Sequence, residues 1–580
     1  MKKEIYENLY TVYSEGFDKN SPLNEYPRPQ FKRESYFNLN GIWDFSIKKH
    51  DNEPPLYEGS IVVPYPPESA LSGVKRPVED GEMLYYKKSF SLPHNFKKER
   101  VILHFGAVDQ VCRVELNGNY VGEHEGGYLP FCFDITEVLS KSENTLSVTV
   151  KDNLCLDYPY GKQKKDRGGM WYTPVSGIWQ TVWLESVPEN YIADIKILSD
   201  MNSATITVLT NAKNKKLTLT DSGEVFEFTS DSITIEPKDK ILWTPKTPHL
   251  YPFILETEND RIESYFALRE IGTKTIDGVS KLTLNGKPYL FNGLLDQGYF
   301  PDGIFTPASY DAYRDDILLA KSLGFNTLRK HIKIEPMMFY HLCDKLGIVV
   351  FQDMVNNSSY SFFKDTVLPT LGFKRKNDTR LHRNPRSREL FVNGMKETIT
   401  HLMNTPSVLY YTIFNEGWGQ FSADENYHLA KSLDPSRIYD ATSGWFFRSE
   451  SDVDSHHVYF KKARLKTSSD RPLVLSEFGG YSFRKKGHLF GAANYGYSIY
   501  KTEEEYASAV TTLYKEEVLP LVENGISALI YTQLSDIEDE TNGFISYDRK
   551  YLKISPDVMM SINQKLYEIS SSEKADTITE

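Results

Sequence analysis

From Leu282 onward the chain repeats one unit: an amphipathic helical stretch, a glycine, then a short apolar run that reads as a strand. Ser309–Leu323 carries apolar residues at helical spacing and stops at Gly324, before FNTLR. Pro336 opens a second helix that ends at Gly347 and feeds IVVFQD. The helical stretch Glu389–Met403 leads through a proline turn into VLYYTIF (Val408–Phe414), and Glu503–Asn524 stops at Gly525 before ISALIY. Glycine ends a helix well because it takes the left-handed backbone without a Cβ clash. Strands that alternate with helices in this way belong to a parallel sheet. The spacing predicts a (β/α)8 TIM barrel over residues 275–580. A doubly wound sheet would be expected to show a glycine-rich phosphate loop early on.

Upstream the texture differs. Over residues 1–188 short β-branched and aromatic runs alternate with polar residues, as in Val101–Phe105, Arg113–Leu116 and Thr145–Val150, and Asn117-Gly118 is a two-residue hairpin signal. A jelly roll or antiparallel sandwich is predicted there. Over residues 189–274 the runs ADIKILSD, ATITVLTN, KLTLTD, EVFEFTS and SITIEP follow at the rhythm of an immunoglobulin-like β-sandwich, with WTPKTPHLYP (Trp243–Pro252) as a loop or edge feature. The chain has 580 residues in all, and 67 basic against 79 acidic groups give a net charge of −12, which disfavours a nucleic-acid partner. Four scattered cysteines (Cys112, Cys132, Cys155, Cys343) have neither disulfide-framework nor zinc-site spacing and read as buried free thiols. The opening MKKEIYENLYTVYSEGF lacks the apolar core of a signal peptide and no run approaches membrane-spanning length, so a cytoplasmic protein without a membrane partner is expected. The polar end SSSEKADTITE reads as a frayed tail.

In a barrel, chemistry sits at the C-terminal ends of strands. Glu416 ends VLYYTIFNE before GWG, and Glu477 ends PLVLSE before FGG. Two carboxylates on one rim suit glycoside hydrolysis: one protonates the leaving oxygen while the other attacks the anomeric carbon, and a spacing of about 5 Å gives retention. A surface carboxylate just past a strand is the bland alternative for each. Two such residues, each between an apolar strand and a tight glycine turn, argue against it. Asn415, one residue before Glu416, could bond a sugar 2-hydroxyl.

Ordered motifs carry a resemblance to a known family. RPQFKRESYFNLNGIWDF (Arg28–Phe45), LNGNYVGEHEGGYLPFCFDIT (Leu116–Thr136), SGIWQTVWLE (Ser176–Glu185), YFALREI (Tyr265–Ile271), FNEGWGQF (Phe414–Phe421) and VLSEFGG (Val474–Gly480) together resemble glycoside hydrolase family 2, the group of β-galactosidases, β-glucuronidases and β-mannosidases. The resemblance covers nearly the whole chain. It implies a sugar-binding jelly roll ahead of the sandwich and barrel, Glu416 as acid/base and Glu477 as nucleophile. It further implies that Tyr459 contacts the nucleophile, and that His331, Asp353 and Asp296 touch substrate. It puts Tyr531 where members carry a stacking tryptophan on the eighth strand.

Departures from the family pattern bear on the sugar. β-Glucuronidases carry an Asn-x-Lys pair for the sugar carboxylate, whereas this chain has the acidic IEDETNG there, and Asn563 with Lys565 matches only in a C-terminal helix. Positions that bind metal in larger β-galactosidases have no clear equivalents, so no metal or cofactor is expected. The reading is a retaining exo-β-glycosidase acting on an oligosaccharide or glycoside, β-galactosidase-type first. β-Mannosidase, β-glucosidase, arabinopyranosidase and, less favoured, β-glucuronidase specificity stay open, as do a homo-oligomer and a non-catalytic carbohydrate-binding protein. Two aromatic loops, 354–385 with Tyr360, Phe362 and Phe363, and 481–500 with Arg484, Lys485, Lys486, Tyr495 and Tyr497, are expected to frame the pocket.

Overall fold

The computed structural model describes residues 9–49, 56–373, 377–459 and 461–571. The polar tail therefore lies almost entirely outside the described residues. The N-terminal part is a sandwich of a six-stranded and a four-stranded antiparallel sheet. Glu143–Lys151 shows how the sequence builds it: buried and half-exposed residues alternate along its length, so one face packs on Trp43, Tyr86, Val114 and Leu184. Asn117 and Gly118 both take positive φ (54° and 78°), as a type I′ hairpin turn requires, and join Val111–Leu116 to Asn119–Glu125.

The next unit pairs a three-stranded sheet (Ile192–Ser199, Ala204–Thr210, Ser232–Ile235) with a four-stranded one (Lys215–Leu219, Val225–Phe228, Tyr251–Glu256, Arg261–Phe266) around Ile195, Ile206, Leu217 and Phe253. Trp243 is more than a loop residue. It is fully buried, and its indole N–H donates to the Asp344 carbonyl at 2.9 Å, which ties this sandwich to the barrel.

The barrel strands are β1 (Phe291–Asp296), β2 (Thr327–Lys330), β3 (Val349–Asp353), β4 (Val408–Asn415), β5 (Ile438–Ser443), β6 (Asp454–Val458), β7 (Leu473–Gly479) and β8 (Ala528–Thr532). They form one parallel sheet in the order β5-β4-β3-β2-β1-β8-β7-β6. Ser443 on β5 and Ser455 on β6 meet through their hydroxyls (3.4 Å), bringing the two ends of the sheet together. The helices follow the glycine signals: Asp311–Ser322 ends before Gly324 (φ 88°), Met337–Leu346 before Gly347 (φ 75°), and the Glu503–Glu523 segment before Gly525 (φ 89°).

Strand alternation divides each barrel strand between two environments. Phe291, Val349, Phe351, Leu409, Ile438, Val474, Ala528 and Ile530 fill the barrel, whose lower end is closed by Trp243, Leu282 and Leu284. Leu294, Leu328, Val350, Tyr411, Leu475 and Leu529 face the surrounding helices. Above the apolar interior the inward positions turn polar, and there the candidate site lies.

All four cysteines are free thiols; Cys112 and Cys343 are buried, but Cys132 and Cys155 are exposed, contrary to the expectation for that pair. Among the described residues no helix is long and apolar enough to cross a membrane.

Candidate active site

Arg329 organises the polar layer. It projects inward from β2 with no exposure, and a guanidinium in such a place persists only if its donors are used. Nε donates to Asp353 Oδ1 (3.0 Å), Nη1 to Glu477 Oε1 (3.0 Å) and the Ser476 carbonyl (2.9 Å), and Nη2 to Asn415 Oδ1 (2.9 Å). One cation thereby fixes side chains from β3, β4 and β7. A register shift between Leu475 and Phe478 turns both Ser476 and Glu477 inward, as a bulge does when it re-aims a side chain.

Glu477 also accepts from the Tyr459 hydroxyl, and its Oε2 lies 3.6 Å from His457 Nδ1. Burial alone would push this carboxyl up. The charges of His457, Arg329 and His331 and the Tyr459 hydrogen bond outweigh it and hold the pKa at about 2. Tyr459 itself is raised well above the ordinary tyrosine value, by burial first and then by the Glu477 charge, so it stays a donor. Its ring stacks on Tyr497 at 3.8 Å, and its hydroxyl also meets Thr532 Oγ1 at 2.9 Å.

Glu416 follows β4 in the left-handed region (φ 54°), a costly conformation for a residue with a side chain. Three contacts pin it there: its N–H donates to the Ser443 carbonyl (2.8 Å), its carbonyl accepts from Trp445 Nε1 (2.9 Å), and Oε1 lies 2.8 Å from His457 Nδ1. Gly417 is required next, because a Cβ would come within 2.1 Å of the Phe446 ring. Donor atoms of Glu416, His457 and Glu477 lie within 4.8 Å of one another. They are the one such set of metal-capable donors among the described residues. These groups are committed to one another, to Arg329 and to Tyr459, so the set has the makings of a proton-sharing cluster rather than a cation cage.

His331 donates from Nδ1 to Asp353 Oδ2 (2.6 Å), and burial lowers its pKa against that hydrogen bond. Its Nε2 has no hydrogen-bond partner among the described residues, and neither does the Nδ2 amide of Asn415. Asp353 has both oxygens engaged, by Arg329 and His331. Burial would raise its pKa, yet the Arg329 charge and the His331 hydrogen bond hold it below the usual carboxylate range. Glu416, Glu477, Asn415, Tyr459, His331 and Asp353 are therefore brought to one mouth.

Asp296 and Tyr531 are not, which corrects two expectations. Asp296 shares the outward face of β1 with Leu294 and pairs there with Lys330 (2.6 Å), which in turn meets Glu335 (2.9 Å). Tyr531 shares the outward face of β8 with Leu529, fully buried and stacked on Phe544 at 4.5 Å. Both are one residue out of phase with the interior, and Gln297 and Thr532 hold the inward positions instead. Asn563 is buried on the terminal helix, bonded to Asn292 (2.8 Å) and the Leu323 carbonyl (2.8 Å), away from the mouth.

The N-terminal sandwich completes the wall. Tyr172 donates to Glu540 and accepts from Gln297 Nε2 (2.7 Å), which also reaches Gln533 (2.6 Å). Trp171, Tyr360 and Trp418 meet edge to face with centroids 4.9–5.8 Å apart. Phe362 and Phe363 are exposed, and residues 374–376 of that loop lie outside the described residues. Arg484 donates from Nη1 to the Ala492 carbonyl and from Nη2 to the Gly491 carbonyl, and Lys485 pairs with Glu503 (3.4 Å).

Arg329, His457, Ser443, Trp445 and Thr532 escaped the sequence reading. Parity was the available signal for one of them: Arg329 shares a strand face with His331.

A model described as glycosyl hydrolases family 2, sugar binding domain, matches residues 44–188, and one described as glycosyl hydrolases family 2, TIM barrel domain, matches 276–544. The chain belongs to glycosyl hydrolase family 2. Within family 2 it is 27% identical over 439 residues to a β-galactosidase of Thermoanaerobacter pseudethanolicus, covering 70% of this chain and 55% of that one. It is 24% identical over 516 residues to a β-glucuronidase of Streptococcus agalactiae, covering 77% and 83%. The chain thus spans about half the length of the β-galactosidases it matches. Among solved structures, a β-glucuronidase from an uncultured Clostridium sp. superposes with a TM-score of 0.72 at 20% identity, covering 93% of this chain and 99% of the other. A β-galacturonidase from Eisenbergiella tayi bound to galacturonate gives 0.69 at 19%, covering 93% and 99%. These likenesses establish the shared fold.

The depressed Glu477 pKa has a consequence for stability. Its folded value lies below the ordinary 4.5, so its contribution is fully present above about 4.5 and is lost as pH falls toward about 2. Urea midpoints measured across that range should fall more steeply for the wild type than for Glu477→Gln. Parallel curves would show that the carboxylate contributes nothing to acid stability.

Proposed function

We propose that this protein is a retaining exo-β-glycosidase that cleaves a terminal β-linked sugar by double displacement. Glu477 attacks the anomeric carbon while Glu416 gives a proton to the departing glycosidic oxygen. The bond to the leaving group breaks as the glycosyl ester to Glu477 forms. Glu416 then takes a proton from water, whose oxygen displaces Glu477 and releases the sugar with its β configuration restored. The observation that carries this reading is the separation within 4.8 Å between donor atoms of the two carboxylates, closer than the ~6.5–9.5 Å between carboxyl groups typical of an inverting site. The depressed pKa of Glu477 suits a nucleophile ionised at working pH. Asn415 Nδ2 and His331 Nε2 bind hydroxyls of the sugar in this reading, and Asp353 acts as a positioning residue through Arg329 and His331. The wall of Tyr172, Gln297, Gln533 and Glu540 supports action on a chain end rather than mid-chain.

A neutral sugar, galactose first, suits this mouth better than a uronic acid. Glu538 and Asp539 are buried, and each lies beside Arg167 (3.4 and 3.6 Å). The Glu540 pKa is raised by burial, with Lys162 opposing and the Glu477 charge adding to the rise. A further carboxylate brought beside them would meet net repulsion. In a panel of aryl β-glycosides the galactoside should be hydrolysed faster than the glucuronide. The reverse order would overturn this specificity, and an inactive panel would overturn the glycosidase reading.

A further inference from the structure

His457 occupies a position that the double-displacement scheme does not use. It is fully enclosed, and it links the two carboxylates from one side: Nδ1 is 2.8 Å from Glu416 Oε1 and 3.6 Å from Glu477 Oε2. A register shift between His456 and His457 on β6 aims the ring there. Nδ1 faces two carboxylate oxygens, which only accept, so Nδ1 is the donor. On the other side Nε2 faces Arg329 Nη1 at 3.4 Å and the Ser443 hydroxyl at 2.8 Å. That hydroxyl lies 3.0 Å from Ser476 Oγ, which donates to the His456 carbonyl (3.2 Å) and sits 2.7 Å from Ser455 Oγ.

We infer that His457 is the positioning residue of the proton donor: its Nδ1–H bonds Glu416 Oε1 and leaves the carboxyl proton to Oε2. The inference rests on Glu416 being the acid/base. Oε2 has no partner among the described residues, so it is the oxygen available to a glycosidic oxygen. Once that proton has gone to the leaving group, the carboxylate left behind keeps the Nδ1–H bond at Oε1. That is the form required to deprotonate water in the second step. The bond works on both halves of the reaction without any transfer through His457 itself.

The charged and titratable groups facing this pair come from every neighbouring strand. Glu477 on β7, Arg329 on β2 and Asp440 on β5 act on His457, while Tyr360, Tyr459, Tyr495 and Tyr497 surround Glu416. Removing an N–H donor from a carboxylate destabilises its ionised form, which fixes the direction of the test.

The test is the pH profile of kcat/KM for His457→Leu, His457→Asn and Ser443→Ala, with nitrophenyl and unsubstituted phenyl glycosides of the best sugar in the panel. In His457→Leu the basic limb should move up by about one pH unit, and phenyl-glycoside hydrolysis should fall about tenfold more than nitrophenyl-glycoside hydrolysis. His457→Asn, whose amide can donate from nearly the place of Nδ1, should bring both readouts back to within about threefold of wild type. Ser443→Ala should move the limb the same way by less, and it keeps the question open to test should the Leu variant not fold. Identical profiles for the Leu and Asn variants, or an unmoved limb in Ser443→Ala and Leu together, would overturn the role. A Glu416→Gln variant indifferent to leaving group would instead overturn the acid assignment beneath it.

Discussion

Glu477→Ala should lower turnover of an aryl β-glycoside by on the order of 10⁴-fold or more, the scale seen when a nucleophile is deleted from an otherwise intact site. The loss should be chemical rather than structural. Arg329 would forfeit one acceptor but keep Asp353, Asn415 and the Ser476 carbonyl, so no buried cation is left unpaired. Sodium azide should restore part of the rate, because the vacated carboxylate leaves space beside the anomeric carbon for a small anion. Azide attacks from the face that Glu477 used, the leaving group departs with the Glu416 proton, and the product is the α-glycosyl azide. Recovery of a β-configured azide would mean that attack came through another group, and wild-type turnover in the alanine variant would remove Glu477 from the mechanism.

Glu416→Gln should show its defect selectively. Loss of a general acid costs on the order of 10²–10⁴-fold when the departing oxygen needs its proton, and little when the leaving group is stable as an anion. Glycosylation by a phenyl glycoside should therefore collapse, while that by a dinitrophenyl glycoside should fall far less and leave the glycosyl-enzyme to accumulate as a burst. The conformation of Glu416 makes glutamine the right substitution, since it preserves the side chain held between Trp445, Ser443 and His457 and changes only the proton. Equal losses for both leaving groups in the glycosylation step would contradict the acid role.

Much of this architecture was legible in the residue order because it depends on local physics. Glycines after helices, an Asn-Gly turn and alternating burial along strands are set within a few residues of where they act. They marked the barrel, the hairpin at Asn117-Gly118 and the position of Glu416 and Glu477 at strand ends. Side-chain facing was harder. The family resemblance puts Asp296 and Tyr531 at the sugar, yet a period of two means that a shift of one residue moves a side chain from the barrel interior to the helix layer.

Bulges break even that rule. At Glu477 and His457 the strand register slips, so parity counted along the sequence does not tell which of two neighbouring residues points inward. The sequence by itself determined the order of sandwich, sandwich and barrel and the two strands that carry the carboxylates, since hydrophobic periodicity and turn chemistry are local. Only the tertiary structure decided that Arg329 would tie Asp353, Asn415 and Glu477 together. Only it placed His457 between the carboxylates and brought Tyr172 from the first sandwich to the wall. Each of these depends on groups far apart in the chain meeting where burial leaves a charge no partner but another side chain.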